Sequence, residues 1–507
     1  MPKITLNYRK NYIKLITSKK IVALNLLLNI ISFNSNISAL PDNSSTKEIK
    51  SLEKPFSKSF KGDLYSVYEV AKTQDQILQA AIAQYNAILM TMPISVSEVL
   101  PQIDYSGEWS KTRTITGSSA VTGTSSFANA SSGLQQTGFL GSGSFFNTSR
   151  TTITKAKENT LTLNQVLFDL ENFIDIFQAN NKIKQAVYNL ESARQNLIVR
   201  IVQNYFTIKS EEQNLVLLIA EKKAVAQQLD QAKARYKVGV SAKTDVDTAQ
   251  ARYDSIVTQK ISAENQIKNS KDQLSVITNQ KTKKLADLKS EKLKIFSPLN
   301  TDKWVESSVK NNPALFATKF ETKIQYQNVQ KEFSGHFPTL NYSLEKDRNK
   351  SKQYIKYIPN PTFTTKTLSN TVDLQLSIFE GGGVYFGTKQ AKYNYQASEH
   401  NYELSLRNTI TNTKINYRAA VTKYKEIQSQ KVAVASAESS YKSTQAGYEV
   451  GTRNIVNLLD SISELYRQKR ILATNRYQYL VNLTLLKQST GTLEDKDVME
   501  INEFLEY

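Results

Sequence analysis

The chain carries one plan twice. Asp75-Gln-Ile-Leu78 is answered by Asn312-Pro-Ala-Leu315, and Pro101-Gln-Ile-Asp-Tyr-Ser106 by Pro338-Thr-Leu-Asn-Tyr-Ser343, both at an offset of 237. Asn159-Thr160 and Phe168 are answered by Asn370-Thr371 and Phe379 at 211, and Tyr236-Lys-Val-Gly239 by Tyr448-Glu-Val-Gly451 at 212. The register changes where an uncharged, Ser/Thr/Gly-rich insert, residues 114–149, stands in the first copy. Such an insert buries too little to fold alone and reads as a surface loop. A period this long is not a solenoid and indicates two copies of one unit. Each copy is expected to run helix, strand, loop, strand, long helix, turn, helix.

Only 17 Gly and 10 Pro occur in 507 residues, and residues 170–238 and 388–446 hold neither. Each such stretch can form a helical rod on the order of 100 Å long at ~1.5 Å per residue. Apolar residues recur within and beyond them at coiled-coil spacing: Val225, Leu229, Ala232, Tyr236; Val246, Ala249, Tyr253, Ile256; Ile455, Leu458, Ile462, Leu465. Spacings of three and four seam helices together lengthwise. Four other segments alternate with period two. Val372, Leu374, Leu376 and Ile378 share one face, with Thr371, Asp373, Gln375 and Ser377 on the other. Leu161, Leu163 and Leu167 repeat the pattern, interrupted by Gln165; so do Ile103, Tyr105 and Trp109, and Leu340, Tyr342 and Leu344. Apolar-out, polar-in alternation with Tyr and Trp suits the wall of a water-lined barrel. A strand of a soluble sandwich alternates the same way.

Four strands per chain leave two open edges, which lipid does not tolerate. About eight strands make a filled barrel and more are needed for a channel. Two chains would give a plugged barrel, three a twelve-stranded one with a lumen; a trimer is expected. Residues 1–20 carry six bases and no acid, Ile21–Ile31 is apolar, and Ala39 offers a small residue for cleavage, the parts of a secretory leader. Its removal changes the 65 Lys+Arg to 59, against 46 Asp+Glu, a net +13. No apolar run beyond it looks long enough to span a bilayer as a helix. With no Cys and only His336 and His400, thiolate, zinc and His-triad chemistry are not expected, nor a cofactor. The Lys281–Lys294 segment contains Asp287 and Glu291 and no interleaved aromatics, so nucleic acid is not the expected partner, although a polyanion binder or a soluble coiled-coil adhesin are the alternatives. Glu380-Gly-Gly-Gly383 reads as a strand-to-helix corner rather than a nucleotide loop.

The expected organisation is a leader at 1–39, an extended segment at 40–61, a first copy at 62–297, a second at 298–490 and a C-terminal tail at 491–507. The first copy has strands about 101–112 and 158–169, a loop at 113–157 and long helices over 170–280; the second has strands about 338–347 and 370–380 and long helices over 384–490. Its outward loop is expected at about 346–369.

Ala446-Gly-Tyr-Glu-Val-Gly-Thr-Arg-Asn-Ile-Val-Asn-Leu-Leu-Asp460 and Ala234-Arg-Tyr-Lys-Val-Gly-Val-Ser-Ala-Lys-Thr-Asp-Val246 resemble the TolC family of trimeric outer-membrane efflux channels. The resemblance covers about residues 62–500, both copies in order, and is to members without a lipid anchor, since no Cys is present to acylate. It implies a mainly α fold with a transmembrane β-barrel: a homotrimer with twelve barrel strands in outer-membrane lipid and a coiled-coil tunnel in the periplasm. It further implies an exit duct for type I secretion and multidrug efflux, and not an enzyme, docking a periplasmic adaptor and an inner-membrane ABC or RND transporter. By the same resemblance Tyr448 and Arg453 latch Thr244 and Asp245 to close the periplasmic gate. Val238, Gly239, Val240, Val450, Gly451 and Thr452 form the adaptor-contact tips. The tunnel entrance falls at Asn457 and Asp460; the family has aspartate at both, so Asn457 puts its cation preference in doubt.

Overall fold

The structure, a computed structural model, describes residues 62–116, 150–282, 284–289, 295–355 and 359–506. The expected leader, the segment at 40–61 and the bulk of the uncharged insert lie outside the described residues. The first copy comprises α1 (Leu64–Gln74), α2 (Gln76–Leu89), α3 (Thr91–Ser97), β1 (Gln102–Thr116), β2 (Arg150–Phe168), α4 (Leu170–Lys237) and α5 (Lys243–Thr278). A short β3 (Asp287–Leu288) follows. The second comprises α6 (Thr301–Asn311), α7 (Pro313–Ser334), β4 (Thr339–Ile355), β5 (Thr362–Gln375), α8 (Gly383–Glu449) and α9 (Ile455–Ser489), then α10 (Asp495–Asn502) and β6 (Leu505–Glu506). The long helices of the copies match almost residue for residue, 68 against 67 and 36 against 35.

Local chemistry sets the helix ends. Asn300, Asn312 and Asn454 cap α6, α7 and α9 through side-chain oxygens, and Pro313 opens α7 where no N–H is needed. Asp75 and Asn312 occupy the same bend in the two copies with different chemistry. Asp75 is buried and takes a two-pronged ion pair from Arg200 at 2.8 and 2.9 Å. Asn312 instead caps Leu315 N–H at 3.0 Å and donates to the Ser489 carbonyl at 2.9 Å. At the far ends of α5 and α9 a left-handed residue turns the chain, Asn279 in the first copy and Gly491 in the second. Only glycine fits the latter, because a Cβ there would lie 2.2 Å from the Asn311 carbonyl oxygen.

The chain forms two compact units that cut across the copies, since α4 runs through both. The first holds residues 62–76, 200–289 and 496–506 of those described. Here Val225, Leu229 and Ala232 of α4 and Ala249 and Ile256 of α5 are buried, as their spacing predicts, while Tyr236 is half exposed. Within the expected tail at 491–507, the described residues to Glu506 form α10 and β6. Its Val498, Ile501 and Leu505 recur on one side and are buried, Asn502 accepts from Tyr65 N–H and donates to Asp63 at 3.3 Å, and β6 pairs with β3. Buried Lys209 bonds Glu212 at 2.9 Å and also Asp287, fastening β3 to α4.

The second unit, which among the described residues holds 77–116, 150–199, 295–355 and 359–495, carries the sheet. Its order is β1-β2-β4-β5, antiparallel throughout, with β1 and β5 at the edges. Below the sheet α7 lies between α4 and α8: Tyr188 stacks on Phe316 and Phe320 at 5.1 and 5.6 Å, and Tyr326 meets Tyr395 at 5.5 Å. Ile455, Leu458, Ile462 and Leu465 of α9 are buried along its seam with α8. The strands are longer than the alternation of apolar residues indicated. β1 runs on to Thr116 and β2 begins at Arg150, inside the expected loop at 113–157. The expected loop at 346–369 is mostly strand, with only 356–361 between β4 and β5. From Lys346 onward the alternation persists, but with Lys and Arg in the apolar places, so hydropathy does not register it. One stretch among the described residues, Gln76–Ser97, is by length and composition apolar enough to cross a membrane, contrary to expectation. It is uncharged, largely unburied and contains Pro93.

Candidate functional site

The two tips are built alike. At the end of α4, Gly239 N–H bonds the Tyr236 carbonyl at 3.0 Å and Val240 N–H the Arg235 carbonyl at 2.9 Å. At the end of α8, Gly451 N–H bonds Tyr448 at 3.2 Å and Thr452 N–H bonds Gly447 at 2.8 Å. These paired bonds close a helix through a left-handed residue, and Gly239 and Gly451 have φ of 78° and 83°. Nothing stands near either glycine's missing Cβ, so backbone conformation alone demands it. The turns present Val238, Val240 and Val450 to solvent at 73, 74 and 76% exposure.

Beyond the first tip, Thr244 and Asp245 lie in the opening turn of α5, within the first unit. Ala242 offers no capping side chain, and Asp245 takes a hydrogen bond from the Ser241 hydroxyl at 2.6 Å. Thr244 is exposed. Tyr448, Arg453, Asn457 and Asp460 belong to the second unit. The Gly447 carbonyl gathers three donors, Thr452 N–H, Thr452 Oγ1 and Arg453 N–H, at 2.8, 3.0 and 3.1 Å. This bends the chain so that Arg453 comes back over Gly447. A Cβ on Gly447 would sit 2.8 Å from Arg453 Cγ. Tyr448 is only 7% exposed, whereas its counterpart Tyr236 is 46% exposed. Asn457 and Asp460, three apart, share the exposed face of α9 opposite Leu458 and Leu459. Asn457 N–H is capped by Asn454 at 2.9 Å. Sequence reasoning passed over Ser241, Gly447 and Asn454 as site residues. Gly447 was signalled by ending a glycine-free run, and Asn454 by its place before an apolar-periodic segment.

The sheet has two chemically distinct faces. Ile103, Tyr105, Leu161, Leu163, Leu340, Tyr342, Leu344, Val372 and Leu374 share one face through the observed register. Gln165 falls on that face, and its amide donates to the Val99 carbonyl at 2.8 Å, so its polarity is satisfied. Tyr105 and Tyr342 donate to Asn159 and Asn370 at 3.0 and 3.1 Å, the same bond in both copies. The other face carries Asp104, Glu108, Glu158, Glu345, Asp347 and Asp373 among Ser, Thr and Asn. Thr160 donates to Asp347 at 3.2 Å across it. The four helices that adjoin the strands, α3, α4, α7 and α8, join the sheet at the apolar end, and β1 leads to β2 and β4 to β5 from the other.

Residues 67–280 and 304–492 match the outer membrane efflux protein family. The outer membrane protein TolC of Vibrio cholerae is 28% identical over 447 residues, 87% of this chain and 93% of its own. TolC of Escherichia coli is 30% identical over 358 residues, covering 69 and 72%. The proteases secretion protein PrtF of Dickeya chrysanthemi is 23% identical over 347 residues, covering 68 and 74%. In fold the chain is similar to the Campylobacter jejuni CmeC outer membrane channel, with a TM-score of 0.68 over 87% of this chain and 90% of that one at 17% identity. Both copies and the strands between them fall within these matches, and the chain belongs to the outer membrane efflux protein family, an exit duct of the outer membrane with its helical tunnel in the periplasm.

Proposed function

We propose that three copies close one twelve-stranded barrel and one tunnel, passing proteins and small molecules from an inner-membrane ABC or RND transporter joined through a periplasmic adaptor. The observation that carries this reading is the four-stranded sheet whose edge strands, β1 and β5, have no partner strand within the described residues. Buried in lipid, each edge would strand a row of N–H and C=O groups unless another copy paired with it. The helices support the same reading. α7 is sandwiched between α4 and α8, while its counterpart α2 keeps Ile77 and, just beyond it, Met90 and Ile94 exposed. By the duplication, the missing neighbour of α2 is the α8 of a second copy. That also accounts for the apolar Gln76–Ser97 stretch without a membrane crossing.

The adaptor docks at Val238–Val240 and Val450–Thr452, where apolar side chains are exposed on glycine-shaped turns. Tyr448 and Arg453, acting on Thr244 and Asp245, hold the periplasmic entrance closed until docking. Arg supplies a planar fork to a carboxylate and Tyr a neutral donor. Asn457 and Asp460 ring the entrance with one carboxylate per chain. A mass measured in detergent should correspond to three chains; monomers or dimers alone would overturn the reading.

A further inference from the structure

Charge is sorted between the two faces of the sheet. Apart from Arg150 at the start of β2, every base on the four strands, Lys111, Arg113, Lys155, Lys157, Lys346, Arg348, Lys350, Lys352 and Lys366, falls on the apolar face. Every carboxylate falls on the other. All nine bases are exposed, and none makes an ion pair among the described residues. They are also stacked against one another. Lys111 stands opposite Lys155 and Lys155 opposite Lys352; Lys157 faces Lys350, and Arg348 faces Lys366. Like charges directly across a strand pair are unfavourable. A row of them, on the face that lacks carboxylates, calls for an external anion.

The position of the belt identifies that anion. The row Leu340–Leu374 and the row Arg348–Lys366 are eight residues apart along the strands. That is on the order of 27 Å along a strand and about 20 Å along the membrane normal at a tilt near 40°. Apart from Lys346, the bases therefore begin near the top of an apolar band about 25 Å tall. They lie at the end away from the helices, and so at the outward leaflet. Aromatic rings mark the same level: Lys157 lies over Trp109 at 5.3 Å, and Lys155 and Lys352 flank Tyr354 at 5.0 and 5.1 Å. Trp and Tyr collect at membrane–water interfaces.

We propose that this belt seats the phosphate groups of anionic lipids in the outer leaflet of the membrane. The proposal rests on the reading that the sheet closes into a membrane barrel. Lys346, lower and beside Leu161 and Leu368, reaches the headgroups by extending its stem along the apolar surface. Phosphates over the Lys111–Lys155–Lys352 row would turn repulsion into bridging.

The test uses the full-length trimer in detergent micelles doped with equal amounts of phosphatidylcholine and diphosphoryl lipid A, with retained lipid read by native mass spectrometry. Lipid A should be retained in clear preference. The K155Q/K157Q/K350Q/K352Q variant should lose at least about tenfold of that preference, since each base near an anionic surface contributes substantially. It should keep its trimer and its single-channel conductance; if it does not assemble, K157Q/K350Q is read by the same ratio. The Lys310→Gln variant, on α6, should behave like the parent. A conducting trimer without lipid A preference, or a preference unchanged by the substitutions, overturns the belt while leaving the barrel standing. Failure of the parent to form conducting trimers removes the barrel reading and the belt with it. Soluble inorganic polyphosphate bound more strongly than lipid A, and lost in the same variant, would overturn the lipid assignment.

Discussion

Gly447 offers the sharpest test of the second tip. A Cβ there meets Arg453 Cγ at 2.8 Å and Thr452 Oγ1 at 3.2 Å, so Gly447→Ala must push the arginine aside. Helix propensity favours Ala over Gly by about 1 kcal/mol, which offsets much of the local strain. The variant should stay folded while single-channel conductance in planar bilayers rises, as it should in the Tyr448→Phe/Arg453→Ser double variant. Parental conductance in both would move the latch elsewhere. On the same helix hairpin Glu464 makes a separate, pH-dependent prediction. The Arg467 guanidinium, donating at 2.6 and 2.8 Å with help from Gln468, holds the Glu464 carboxyl down at about 2. Its folded value lies below its unfolded one, so the pair's contribution is complete above the ordinary carboxylate range and fades as pH falls toward about 2. Solvent screening keeps the contribution of such an exposed pair small. Glu464→Gln should therefore lower the melting temperature slightly at pH 7 and not at all near pH 2; an equal difference at both pH values would contradict this.

Among the elements of the proposed trimer, the strands are expected to decide ion preference more than the entrance does. In the proposed trimer, with Asn457 and Asp460 at the entrance, only one carboxylate per chain would stand there. The polar face of the sheet supplies six carboxylates, among them Glu158, Glu345 and Asp347, and Lys and Arg are confined to the other face beyond Arg150. A lumen lined by one sign of charge selects the opposite ion. The Glu158→Gln/Glu345→Gln/Asp347→Asn variant should shift the reversal potential away from cation preference further than Asp460→Asn does. The reverse order would place the filter at the tip. The strands also mark how far patterning can be read. Val372, Leu374 and Leu376 announced β5 because they alternate with polar residues. Lys346, Arg348, Lys350 and Lys352 alternate just as strictly, yet read as loop, because their role depends on a headgroup layer that hydropathy does not contain.

For the whole molecule, the copies differ where β1 joins β2. The first copy inserts residues 117–149 there, and the second joins β4 to β5 through 356–361. β1 and β2 pair continuously from Gln102–Asn164 to Thr116–Arg150, on either side of the insert. Deleting residues 118–148 should leave trimers in detergent and conductance unchanged. Loss of the trimer would mean that the insert is part of the wall.

Duplication, helix lengths, most seam residues and the glycine turns were legible in the sequence, because each follows from local rules: periodicity, capping and the positive φ that Gly239 and Gly451 require. Asp75 and Asn312, aligned by the repeat, were legible as one bend but not as an ion pair in one copy and a cap in the other, since Arg200 arrives from 125 residues away. Tyr236 and Tyr448 stand in nearly the same local sequence, and only the fold makes one half exposed and the other buried. The sorting of bases and acids onto opposite faces likewise needed the register, because a single bulge, such as the one between Val166 and Phe168, changes which side chains share a face. Local conformation is written along the chain; which distant groups meet, and what solvent they face, is decided only when the elements pack.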